Sequence, residues 1–310
     1  METSFGGVQV LIVPEKVVDD LYASHRLSIF SLRDKVQGSN LEDQDWTKIP
    51  NLSLVLKVEG SKKAALARVD SLCQNVILAH DYNKLPVCGL RPRNKEQNLL
   101  LNLLMETSIR CVAVEGKAGS GKSLMAMAAA FDLLKDSQEN FKRIILTRPM
   151  STVGKDIGAL PGTEKEKFLP YLANYYSNFE VLFSSNFHYH IEGMLDKGTL
   201  EYVPMALIGG ASWQNAIIIA DEVQSLKCEE FYALTTRAAE TSKLFILGDL
   251  KQRYGRILDE SETGLHRWVN SRFTRQSPVC ASLKLLKQER SQLAEVAYNV
   301  FSDEEPGGEE

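Results

Sequence analysis

No stretch of the 310 residues approaches the ~18 consecutive apolar positions that a membrane-crossing helix requires, which excludes a helical bilayer span. In the first 30 residues the apolar stretch is short, holds Gln9 and is flanked by Glu2 and by Glu15 and Lys16, unlike a secretory leader. Cysteine is scarce. The five present (Cys73, Cys88, Cys111, Cys228 and Cys280) are odd in number and never in CxxC spacing, which argues against a disulfide framework or a zinc cluster and for a reducing, cytoplasmic setting. Internal repeats are absent, and the one biased segment is the acidic tail. A strong charge of one sign is also missing: 36 Lys and Arg stand against 40 Asp and Glu, and five of those acids fall in the last eight residues. Whole-chain charge therefore neither demands nor forbids a nucleic-acid partner. With 44% hydrophobic and 25% charged residues, the chain has the composition of a packed globular protein rather than a disordered one.

Residues 1–85 read as a small, mostly β appendage. VQVLIV (8–13), LSLVLKVEG (52–60), AALARVD (64–70) and NVILAHDY (75–82) have strand-like patterning, and Pro14 opens a short helical pattern. NKLPVCGLRPR (83–93) marks a boundary. From there to about residue 301 helical patterns alternate with short apolar strands at RCVAVEG, RIILTR, LEYVP, AIIIADE and KLFILGD. Nearly uninterrupted apolar strands joined by helices predict an α/β fold, a parallel sheet covered by helices on both faces. Residues 302–310 read as an acidic disordered tail.

The chemistry begins at Gly116-Lys117-Ala118-Gly119-Ser120-Gly121-Lys122-Ser123, a full GxxxxGKS match that a strand enters and an Ala-rich helix leaves. Glycines let backbone N–H groups wrap phosphate oxygens, and the helix start adds partial positive charge. Lys122 is expected to reach the β- and γ-phosphates, and Ser123 to offer its hydroxyl to Mg²⁺. Ninety-nine residues after Lys122, the strand Ala216–Ala220 ends in Asp221-Glu222. Asp221 is placed to hold the magnesium, and Glu222 to take a proton from an attacking water. A third strand ends at Gly248-Asp249, and Gln252 beyond it is placed to sense the γ-phosphate.

These residues, with RPRNKEQ (91–97), TRP (147–149), VGKDIGALPG (153–162) and QERSQLAE (288–295), resemble the PhoH-like ATPases, P-loop proteins related to superfamily 1 helicases. The resemblance covers roughly residues 85–300 and implies a RecA-like P-loop fold that binds ATP and Mg²⁺. The appendage is similar to the segment that joins the ribonuclease and ATPase parts of PIN–PhoH fusion proteins. By resemblance, Gln97 reads the adenine edge, Arg148 contacts a nucleic-acid backbone and Arg290 contacts phosphate. Two positions depart from the family pattern: Ile208-Gly209-Gly210-Ala211, where an arginine usually precedes the glycine, and Gln252-Arg253-Tyr254, where QxD is usual.

Between Gly264 and Arg290, six basic residues, Arg272 and Arg275 among them, face one acid, with Trp268 and Phe273 interleaved. This pattern suits single-stranded RNA or DNA, and equally a solvated face. The loop from Gly154 to Lys167, which contains Lys155, offers a second nucleic-acid path or a subunit contact. His188 and His190 share one face if extended, without a third ligand nearby. Room for only one RecA-like domain predicts a homo-oligomer, plausibly a ring, with Arg272, Arg275 or Arg290 supplied in trans. Two alternatives to an ATPase remain at this stage. One is a P-loop kinase, against which stand the water-positioning residues Glu222 and Gln252 and the want of an arginine-rich acceptor lid. The other is a nucleotide-gated binding protein with little turnover.

Overall fold

Two patterns of strand, alternating and fully apolar, produce two separate sheets. The computed structural model describes residues 7–39, 45–136, 140–149, 172–205, 208, 212–250, 263–287 and 296. Lys155, Gln252, Arg290 and the acidic tail lie outside the described residues.

The first sheet is built from β1 (Gln9–Ile12), β2 (Arg26–Ser28), β3 (Gly38–Ser39), β4 (Ser53–Lys57), β5 (Ala64–Val69) and β6 (Asn75–Leu78), in the order β2-β6-β5-β4-β1-β3. Only β1 and β4 run parallel; the other neighbours are antiparallel. Helices α1 (Glu15–Ser24) and α2 (Ile29–Arg33) close it, burying Val17, Val18, Leu21, Ile29 and Leu32 against Leu11, Leu54, Leu56 and Ala67. The helical pattern after Pro14 is α1, and α2 adds a second short helix to the core of this mostly β region.

The second sheet holds β7 (Cys111–Gly116), β8 (Arg143–Thr147), β9 (Leu200–Tyr202), β10 (Ala216–Ala220), β11 (Lys243–Gly248) and β12 (Cys280–Leu285). Its order is β12-β7-β11-β10-β8-β9, and every pairing is parallel. The five strands other than β9 have the order of a RecA-like P-loop domain, with β11 inserted between β7 and β10. Alternate side chains serve opposite faces. Val112, Val114, Ile217, Ile219, Phe245 and Leu247 face one core with α3 (Lys95–Met105), α4 (Lys122–Lys135), α5 (Tyr176–Phe183) and α6 (Phe187–Asp196). Ala113, Ile145, Ile218 and Ile246 face the other core with α7 (Cys228–Thr235) and α8 (Gly264–Asn270). The fold is therefore the α/β, doubly covered sheet that the strand–helix alternation implies.

Two local readings change. CASLKL (280–285) forms β12, paired along its whole length with β7 although 169 residues separate Cys111 from Cys280. His188 and His190 lie on α6 rather than on an extended segment, so they point about 160° apart and share no face.

Buried amides on α3 join the sheets. Asn98 and Asn102 together hold the backbone of His80 and Tyr82 at 2.7–3.0 Å. Asn51 donates to the carbonyls of Pro278 and Cys280 at 2.9 and 3.0 Å, and Arg68 pairs with Glu106. Among the described residues no helix is long and apolar enough to cross a membrane.

At the seam between α7 and α8 the two helices approach closely. A Cβ added at Gly264 would stand 2.1 Å from the Cβ of the buried Phe231. Gly264→Ala is expected to lower unfolding stability by about 1–3 kcal/mol through overpacking. Urea unfolding checks this, and a midpoint equal to that of the parent protein would disprove it.

Candidate nucleotide site

Parallel strands bring their carboxyl ends to one edge of the sheet, the edge where α/β proteins bind ligands. Here that edge gathers Gly116 from β7, Arg148 beyond β8, Asp221 beyond β10 and Asp249 beyond β11. The segment from Gly116 to Gly121 turns tightly between β7 and α4. Gly119 (φ 81°) and Gly121 (φ 90°) occupy the left-handed region, which a side chain would resist. Among the described residues no side chain caps the start of α4, so its first turn offers backbone donors to an anion. Lys122 Nζ curls over the loop, donating to the carbonyls of Gly116 and, at 3.1 Å, Lys117.

Ser123 Oγ donates to Asp221 Oδ2 at 2.8 Å, joining the loop motif to the acid after β10. Asp221 is 5% exposed. Burial, with the Glu222 charge added, pushes its carboxyl above the usual carboxylate range, while the Ser123 hydroxyl and the Lys122 and Arg148 charges restrain the rise. Three hydroxyls about this centre, Ser120 Oγ, Thr147 Oγ1 and Tyr175 Oη, are buried without a hydrogen-bond partner among the described residues. Asp221 influences the Tyr175 hydroxyl electrostatically, and its backbone N–H donates to the Thr147 carbonyl at 3.0 Å. Hard oxygen donors beside orphaned hydroxyls and a backbone cradle fit a hydrated Mg²⁺ and a phosphate chain.

Glu222 adopts the left-handed conformation (φ 56°, ψ 35°), unusual for a residue with a side chain. Its N–H donates to Asp221 Oδ1 at 3.0 Å, and its Oε2 accepts from Gln224 Nε2 at 2.6 Å. Gln224 Oε1 accepts the Asp249 N–H at 3.2 Å, and Asp249 Oδ2 accepts the Ala118 N–H at 3.1 Å. Gln97, 2% exposed, accepts from Arg93 N through Oε1 (2.8 Å) and donates from Nε2 to the Ser120 carbonyl at 3.1 Å. Its amide is thus bonded at both ends within the chain, bracing the phosphate loop.

The structure brings together Gln97, the 116–123 loop, Asp221 and Glu222, with the charge of Arg148 reaching Asp221. Arg272 and Arg275 stand elsewhere. They lie on α9 (Arg272–Arg275), which leads into the start of β12 and so belongs to the opposite edge of the sheet. There the Arg272 guanidinium covers the exposed Phe273 ring at 5.1 Å, while Trp268 packs towards the core against Phe231. Sequence reasoning gave no role to Gln224, Asp249, Thr147 or Tyr175. Gln224 stands two residues after the Asp221-Glu222 pair and Asp249 closes the third strand, the signal that could have found them.

The family model described as "PhoH-like protein" matches residues 89–302. The chain is 33% identical to "Protein PhoH2" of Bacillus subtilis (strain 168) over 284 residues, covering 91% of this chain and 63% of that one. It is 29% identical to "Protein PhoH2" of Mycolicibacterium smegmatis over 255 residues, covering 81% of this chain and 56% of that one. The chain thus spans less than two thirds of the length of these relatives. Among solved structures, the Pif1 helicase from Candida albicans aligns with 69% of this chain and 45% of its own, at a TM-score of 0.36 and 14% identity.

Proposed function

The chain belongs to the PhoH-like family, and from that premise we propose that it is a magnesium-dependent ATPase that releases ADP and phosphate. The observation that carries this reading is the 2.8 Å bond between Ser123 Oγ and Asp221 Oδ2, which joins a phosphate-binding loop to a metal-binding acid. Ser123 and Asp221 hold the cation, which when bound neutralises charge on the β- and γ-phosphates. Lys122 lies on the loop where its ammonium meets phosphate oxygens. Glu222 takes a proton from the attacking water, whose oxygen forms the new bond to phosphorus as the bond to ADP breaks. Gln252 orients that water, and an arginine from a neighbouring copy (Arg272, Arg275 or Arg290) offsets the developing charge.

In our reading turnover drives binding or remodelling of single-stranded RNA or DNA, through Arg148, Lys155 and the arginines of α9, within a homo-oligomeric ring. The Arg272 guanidinium beside the exposed Phe273 ring supports it, since phosphates and bases need those two partners. Phosphate release from ATP and Mg²⁺, with and without each polymer, tests both halves. Free phosphate that increases with one polymer is the expected result. Phosphate release indifferent to both polymers would remove the nucleic-acid half, and ADP formed only with a small acceptor, with the γ-phosphoryl on that acceptor and no free phosphate, would identify a kinase.

A further inference from the structure

Glu222 leaves the end of β10 in a backbone conformation that side chains resist, so something must fix where its carboxylate stands. One side chain does so. Gln224, two residues on and 3% exposed, donates from Nε2 to Glu222 Oε2 at 2.6 Å. The orientation of this amide is dictated by its surroundings. The Asp249 backbone N–H can only donate, so it fixes the amide oxygen at 3.2 Å; the –NH₂ end then faces a carboxylate that, ionised, can only accept. The end of β11 presses close at the same place, where a Cβ added at Gly248 would meet Gln224 Oε1 at 3.1 Å. Asp249 in turn holds the phosphate loop, accepting the Ala118 N–H at 3.1 Å.

We infer that Gln224 is the positioning residue for Glu222, and that the run Ala118–Asp249–Gln224–Glu222 ties the proton acceptor to the phosphate loop. The inference rests on the ATPase reading above. A neutral amide suits the task. It holds one carboxylate oxygen without neutralising the charge, and among the described residues Oε1 has no hydrogen-bond partner, which leaves it for water. A lysine at this place would quench the base, and an apolar residue would let the carboxylate swing. Because the relay joins loop and base through hydrogen bonds of fixed direction, a shift of the loop around phosphate is felt at Glu222.

The experiment is steady-state ATP turnover beside titration of a fluorescent ATP analogue, for the parent protein, Gln224→Ala and Gln224→Glu. In Gln224→Ala, kcat is expected to fall about tenfold to a hundredfold, the scale of a misplaced catalytic group, while KM and analogue affinity stay within about threefold. Gln224→Glu keeps an acceptor for the Asp249 N–H but sets a second carboxylate against the first, so its kcat falls at least as far. A purely structural Gln224 would be served by Gln224→Glu, and parent-like turnover in that variant overturns the assignment even if Gln224→Ala fails to fold. Parent-like kcat in a folded Gln224→Ala overturns it too. An inactive parent protein would show that the ATPase reading itself has failed, whereas failure of the positioning role requires an active parent.

Discussion

Glu222→Gln is expected to bind ATP and Mg²⁺ like the parent protein and to lose about 10²–10⁴ in kcat, the usual worth of a general base. The substitution preserves the shape of the site. A glutamine carbonyl at this position accepts the Gln224 Nε2 donor as the carboxylate does, and the backbone bond from residue 222 to Asp221 Oδ1 is untouched. Only the capacity to accept a proton disappears. Single-turnover phosphate release against analogue titration separates the two quantities. A rate within about tenfold of the parent's would remove Glu222 from the chemistry, and a matching loss of affinity would make it a binding residue instead.

The parts of this site that were legible in the sequence are those written in consecutive residues. The loop from Gly116 to Ser123 states its strand, its turn and its helix within one short stretch, and Asp221-Glu222 follows an uninterrupted apolar strand whose five residues are buried. What joins residues across the fold was not legible. Gln224 reaches Asp249 only because β10 and β11 lie side by side, an order that no local pattern encodes. The strand β12 was masked for a related reason. Its alternation, half-buried then buried, is clear in the structure, but in the sequence it sits among basic residues that draw attention to charge. Pairing with β7, across 169 residues, is what stabilises it there. For His188 and His190 the sequence left the conformation open, since three residues hold too little periodicity to tell helix from strand, and the structure makes them helical. The adenine-reading role inferred for Gln97 came from resemblance, while the structure shows its amide engaged with Arg93 and Ser120, a fact of packing between α3 and the phosphate loop.

Lys122→Ala is expected to fail at the earlier step, with affinity for ATP falling on the order of a hundredfold, as for the loss of strong charge-assisted hydrogen bonds to phosphate. The fold should survive it. Lys122 Nζ donates to the loop carbonyls of Gly116 and Lys117, and Lys122 itself is half-buried, so its truncation opens no cavity in the core. Analogue titration with a thermal melt checks both statements, and affinity within about threefold of the parent's would dissociate the loop from phosphate binding. Lys122→Ala and Glu222→Gln together also decide between the remaining functional readings. A nucleotide-gated binding protein with little turnover would lose its response to ATP in Lys122→Ala and be indifferent to Glu222→Gln, because gating needs the phosphate held but no proton removed. An ATPase must lose turnover in both, at different steps: one variant starves the site of nucleotide, and the other retains nucleotide with the attacking water unactivated. A Glu222→Gln protein that holds ATP and grips a polymer more tightly than the parent would further show that hydrolysis is the step that releases it.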